Sequence, residues 1–239
     1  MREYFEKIEN LPQDEFFEKM KQCLIQEEKK FIVTANPETL MFAEKDNEFR
    51  EILLNPHTTI VADGIGVIKG AKMLKVDLEH RVLGVDLAIK LLSYCNELEK
   101  SIYLLGAKPE VIEKMKESIK KDYPKAKLVG AVDGYVEDKD AVFDDMREKD
   151  PDVVLVALGI PRQEKLISKH YETFSKGIFV GVGGSFDVIS GNKKRAPSFF
   201  VKLNLEWLYR ITTEPSRLKR FFSSNIRYIF KIRKERGKK

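Results

Sequence analysis

The chain has 239 residues, 43% of them hydrophobic and 34% charged, which is enough to bury one sizeable core and too apolar for a disordered chain. No segment approaches the roughly 18 uninterrupted apolar residues of a membrane span, and the charge-dense start, MREYFEKIENLPQDEFFEKM, has no apolar stretch of the kind a secretory signal needs. The formal charge of +5 is uneven: residues 196–239 hold 12 Lys/Arg against 3 Asp/Glu, whereas the residues before them hold 31 against 35.

In chain order, residues 1 to about 28 read as amphipathic helix. Short apolar runs then alternate with helical segments. Strands are expected at 31–34, 58–62, 101–105, 127–132, 152–158 and 177–181, and helices at 37–54, 85–100, 109–122, 138–149 and 161–174. This alternation predicts an α/β, Rossmann-like fold: a mostly parallel sheet with helices on both faces. The runs are rich in Val, Ile and Leu with little polar alternation, as strands buried on both sides should be. Cys23 and Cys95 lie in helical segments, and His57, His80 and His170 fall at unrelated spacings. Neither a disulfide framework nor a metal site is expected, and a reducing compartment is the simpler reading.

In an open parallel sheet, ligands bind beyond the carboxyl ends of the strands. The residues at those ends are Thr34-Ala35-Asn36-Pro37, Asp63-Gly64, Gly106-Ala107, Asp133-Gly134-Tyr135, Gly159 to Gln163, and Gly183 to Asp187. Asn36-Pro37 is a good helix start, so capping and ligand contact both remain open for Asn36. Thr34 suits either a ligand hydroxyl or its strand. Asp63 can cap a helix or act as a general base. Gly106 and Gly183 allow backbone N–H groups to approach a phosphate, although glycines also mark ordinary turns. Neither a GxGxxG nor a P-loop is present. Asp150-Pro151-Asp152 has the D-x-D spacing of metal-dependent sugar-nucleotide enzymes, but it precedes a strand and so reads as a turn at the opposite edge.

The basic tail, 196–239, is expected to form a helical appendage to a core of residues 1–195. As a helix, 216–236 would align Leu218, Phe221, Phe222, Ile226, Ile229 and Ile232 on one side, with Arg220, Arg227, Lys231 and Lys234 opposite. A helix packing its stripe on the domain would show the same pattern, but the density of basic residues favours an interfacial helix on an anionic surface. With no metal, a departing diphosphate needs cationic partners, and Arg210, Arg217 and Arg220 offer bidentate guanidinium groups.

The ordered segments TANPETLMFA, VADGIGVIKGAK, RVLGVDL, LLGAKP, PDVVLVALGIPRQEKLI and GVGGSFDVISGNKKRAP…NLEWLYRITTEPSRLKR together resemble the WecG/TagA/CpsF glycosyltransferases (family 26), from about residue 31 to residue 222. The resemblance is strongest to the N-acetylmannosaminyl-transferring members. It implies an inverting transfer of N-acetylmannosamine from its UDP donor to the C4 hydroxyl of N-acetylglucosamine on undecaprenyl diphosphate, the linkage unit of wall teichoic acid, with no cofactor and no required metal. It assigns Asp63 as general base, Thr34, Asn36, Arg81 and Gln163 to the pocket, with Gly106 and Asp187 beside them, and Arg210, Arg217 and Arg220 to the diphosphate. It further implies a cytoplasmic protein, peripheral on the inner face of the membrane, that self-associates and binds no nucleic acid. The residues leave three other readings open: a related hexosyl- or uronosyltransferase, a nucleic-acid-binding protein, and a UDP-binding scaffold.

Overall fold

A computed structural model describes residues 1–213 and 217–237, apart from the side chains of residues 202, 210, 217 and 219–222. The expected first helix is two, α1 (Arg2–Lys7) and α2 (Gln13–Ile25), because Pro12 takes an extended conformation at the start of the second. Between them Ile8 bridges to Ile60, and Glu9 N–H donates to the Ile60 carbonyl (2.8 Å), covering an outer edge of the sheet. After β1 (Lys29–Ala35), the expected helix at 37–54 is also split, into α3 (Pro37–Ala43) and α4 (Asn47–Leu54), since Asp46 accepts from Phe49 N–H and starts a new helix.

There follow β2 (Thr58–Ala62), α5 (Ile65–Met73), α6 (Gly84–Glu97), β3 (Ser101–Gly106), α7 (Pro109–Asp122), β4 (Lys127–Val132), α8 (Lys139–Lys149), β5 (Val153–Ala157), α9 (Arg162–His170), β6 (Gly177–Gly181) and α10 (Ser185–Ile189). The tail adds α11 (Ser198–Lys202), α12 (Glu206–Thr213) and α13 (Arg217–Arg236).

The six strands are all parallel, in the order β2-β1-β6-β5-β3-β4. Residues alternate between two cores: Phe31, Val33 and Ala35 of β1 face one, Ile32 the other. The first core is covered by α1, α3–α5, α8, α9 and α13, the second by α2, α6, α7 and α10. Five strands are buried as the composition predicts. β4 is an edge strand of intermediate burial, and Gly130 in it accommodates the Tyr103 ring, which a Cβ there would meet at 2.2 Å.

At the amino edge Asp152 knits the sheet. Its Oδ2 accepts from Ser101 N–H (2.8 Å) and Oγ–H (2.7 Å), and its Oδ1 pairs with Lys176 (3.1 Å). Burial alone would raise this carboxyl group's pKa, but these bonds hold it below the usual range. Asp150-Pro151-Asp152 is therefore a turn with a structural ion pair, on the rim away from the carboxyl ends.

Candidate active site

The strand order produces a switch point. The chain leaves β3 toward β4 and leaves β5 toward β6, so connections diverge on either side of the β3/β5 pair. A crevice at the carboxyl ends is the general consequence. Thr34, Asn36, Asp63, Arg81, Gly106, Gln163 and Asp187 all lie along this edge. From β2 to β3 it spans four strand spacings, roughly 19 Å at ~4.8 Å each, enough for an extended ligand.

On the β1/β2 side, Asp63 N–H donates to the Ala35 carbonyl (2.7 Å), which holds the half-buried acid against the end of β1. Gly64 follows at φ +97°, a conformation that disfavours any side chain, and the space where a Cβ would stand is empty. Val82 N–H donates to the Ala62 carbonyl (2.9 Å), bringing Arg81 alongside the same strand end. The Arg81 guanidinium donates to the Val201 carbonyl of α11 (3.4 Å), so the first helix of the tail borders this corner.

Asn36 resolves its ambiguity in favour of capping for one end of its amide. Its Oδ1 accepts from Thr39 N–H (3.0 Å) and Oγ–H (3.2 Å), completing a reciprocal capping box. Its Nδ2 makes no hydrogen bond among the described residues. Thr34 Oγ1 donates to the Gly181 carbonyl of β6 (3.2 Å) and packs on Gly84, where a Cβ would stand 3.2 Å from that oxygen.

Gln163 is 3% exposed and its side chain bonds to protein at both ends. Its Oε1 accepts from Gly159 N–H (3.0 Å) and Gly183 N–H (3.1 Å), and its Nε2 donates to Glu164 Oε1 (2.7 Å). The expected pocket residue thus joins the turns after β5 and β6. Gly106, at φ +121°, lies against β5: a Cβ would lie 2.5 Å from the Ala157 backbone. Ala107 N–H also donates to the Ala157 carbonyl (2.9 Å). Its glycine is required by packing. Asp187, in the first turn of α10, accepts from Asn192 Nδ2 (3.0 Å) and its backbone carbonyl from Lys193 N–H (2.7 Å), tethering the loop that leads into the tail.

The side chains of Arg210, Arg217 and Arg220 lie outside the described residues; α12 and α13 carry their backbones. The apolar stripe expected on the last helix is divided: Ile232 (0% exposed) faces the body, while Leu218, Ile226 and Ile229 are exposed. Outside that stripe, Tyr228 (4%) is buried and Phe230 exposed. Lys231, expected on the solvent side, pairs with Glu44 of the body instead. Phe221 and Phe222 fall outside the described side chains.

Two features escape the sequence reading. Glu164 is 2% exposed, its Oε2 has no hydrogen-bond partner among the described residues, and burial raises its pKa to about 7. Its position on the face of Ile167 and Tyr171, at helical spacing, is the available clue. The second is a slot on α5: Tyr228 donates to the Gly66 carbonyl (3.2 Å) and its hydroxyl fills the space a Cβ at Gly70 would occupy.

The sequence profile of the glycosyl transferase WecG/TagA/CpsF family matches residues 5–239. Three proteins similar to the chain bear the name N-acetylglucosaminyldiphosphoundecaprenol N-acetyl-beta-D-mannosaminyltransferase. The one from Bacillus spizizenii is 44% identical over 193 residues, covering 81% of this chain and 75% of the relative. Those from Bacillus subtilis and Staphylococcus aureus are 41% and 38% identical, each covering 87% of this chain and 81% of the relative.

Proposed function

Because the chain belongs to the WecG/TagA/CpsF family of glycosyltransferases, we propose that it transfers N-acetylmannosamine from UDP-N-acetylmannosamine to the C4 hydroxyl of N-acetylglucosamine on undecaprenyl diphosphate. The observation that carries this reading is the gathering of Asp63, Asn36, Thr34, Arg81 and Gln163 at one sheet edge in a chain 38–44% identical to proteins bearing that activity's name.

The reaction is a single inverting displacement. The acceptor oxygen forms a bond to the anomeric carbon as the bond from that carbon to the UDP oxygen breaks. Asp63 takes the hydroxyl proton, a step worth roughly 10²–10⁴-fold. UDP departs with the bonding electron pair, and Arg210, Arg217 and Arg220 neutralise its growing charge in place of a metal. Residues 1–195 serve as the catalytic core and 196–239 as an appendage that completes the site.

The appendage also meets the membrane in this reading. Eight of the ten exposed large hydrophobic residues among those described fall between Phe199 and Phe230, in the most basic part of the chain. No helix among the described residues is long and apolar enough to cross a bilayer. In this reading the protein works from the surface of the cytoplasmic leaflet, where the lipid-linked acceptor is presented, and self-associates there.

The test is incubation of the purified protein with a panel of UDP-sugars and a short-chain lipid-diphosphate-N-acetylglucosamine, read by mass spectrometry. Addition of one N-acetylhexosamine from UDP-N-acetylmannosamine, preferred over the other donors, is the expected result. Preference for a hexose or uronic acid donor would reassign the substrate, and absence of transfer from any donor would overturn the reading.

A further inference from the structure

We propose that Glu164 is a positioning residue: its carboxyl oxygen holds the Gln163 amide in the orientation in which Gln163 Oε1 clamps the Gly159 and Gly183 turns together. The proposal rests on the sugar-transfer reading only for its activity arm; the clamp itself is a matter of hydrogen bonds.

The geometry leaves little freedom. Gln163 Oε1 receives two backbone N–H groups, from the turns that follow two neighbouring strands. Gln163 Nε2 lies over Gly181, where a Cβ would stand 2.5 Å from it, and its donor partner is Glu164 Oε1 at 2.7 Å. Without that acceptor a buried N–H would lose its partner, and the amide would gain by turning toward solvent and releasing both glycines. The two turns it joins, at φ +75° and +49°, have open space where their side chains would be. They are the floor of the edge between Asn36 and Gly106.

Glu164 is also an expensive way to fill this position. Its Oε2 is buried without a partner among the described residues, and a leucine would pack there with no orphan oxygen. A residue present for packing alone would not carry that cost, whereas one present for its acceptor oxygen must. Burial keeps the group neutral over much of the range below pH 7, and its carbonyl oxygen accepts from Gln163 Nε2 in either protonation state.

The experiment compares wild type, E164Q and E164M by amide hydrogen exchange, UDP affinity and transfer kinetics. E164Q keeps an acceptor and should retain Gly159 and Gly183 protection and kcat within about threefold. E164M should speed exchange at both glycines at least tenfold while Leu155 and Val180 keep their protection, and should lower kcat at least tenfold with a smaller change in KM. Normal protection at the two glycines in E164M, or lost protection with unchanged kcat, overturns the proposal. Should E164M not fold, the wild-type protein still decides: the Gln163 Nε2 protons must exchange slowly, and rapid exchange there refutes the clamp. A wild-type protein that transfers no sugar would defeat the functional reading and leave the exchange results to judge the clamp.

Discussion

Asp63 and Glu164 are acids a few strands apart on the same edge, and their surroundings give them different work. Asp63 is half-buried at a strand end, with open space beyond the glycine that follows. D63N preserves shape and removes the proposed base, so turnover should fall by 10²-fold or more while UDP affinity stays within about twofold; near-normal turnover would take Asp63 out of the chemistry. Glu164 links to pH through stability. Below its ordinary value of 4.5 it is protonated whether the chain is folded or not. Between 4.5 and about 7 only the unfolded chain releases the proton, so stability falls as pH rises, levelling off above 7. The loss is of order 3 kcal/mol at about 1.4 kcal/mol per pH unit. E164Q removes it, so urea unfolding should find E164Q more stable than wild type at pH 8 by a margin that closes at pH 4.5. At this scale Asp63, Asn36 and Gly106 were legible because they follow apolar runs. Arg81 was not, since it lies mid-loop and only the Val82–Ala62 bond brings it to the edge; it came from family resemblance.

Strands were the most legible elements, because a doubly buried parallel strand must be written in Val, Ile and Leu. The helix α5 was not foreseen: two glycines in nine residues lower its intrinsic propensity, and what they accommodate is distant in sequence, Pro37 at Gly66 and, at Gly70, the end of the Tyr228 side chain from more than 150 residues away. That contact reverses the usual effect of Gly→Ala. In an open helix G70A would gain about 1 kcal/mol. Here the new methyl would lie 1.9 Å from the Tyr228 hydroxyl, and overpacking of this kind costs about 1–3 kcal/mol. G70A should therefore lower the melting temperature and make residues 217–236 more sensitive to protease; a stabilised, protease-resistant variant would refute the docking. Truncation after Ala196 should likewise leave a chain that folds but melts earlier, having lost the burial of Tyr228 and Ile232 at roughly 1.5–3 kcal/mol each, and that transfers almost no sugar. Full turnover by that fragment would rule out a role for the appendage in the site.

Across the whole molecule, charge and apolar exposure coincide at one end. The body is mildly acidic, the last 44 residues carry nine net positive charges, and the outward face of α13 presents Ile226, Ile229 and Phe230. Binding to vesicles rich in anionic lipid should be strong at low salt and fall steeply by about 0.5 M, where charge attraction is screened within a few ångströms. The double variant I226S/F230S should weaken vesicle binding at least fivefold yet leave transfer to a water-soluble acceptor unchanged; equal binding would place the contact elsewhere.

Asp63 stands just ahead of α5, separated from it by Gly64, and Gly66, the second residue of that helix, receives the Tyr228 hydroxyl at its carbonyl. The proposed base and the seat of the last helix are therefore neighbours at the start of α5, joined through a single glycine. In the proposed reaction, undocking the last helix would disturb the first turn of α5 two to three residues from Asp63, so seating of the tail and the state of the acid should change together.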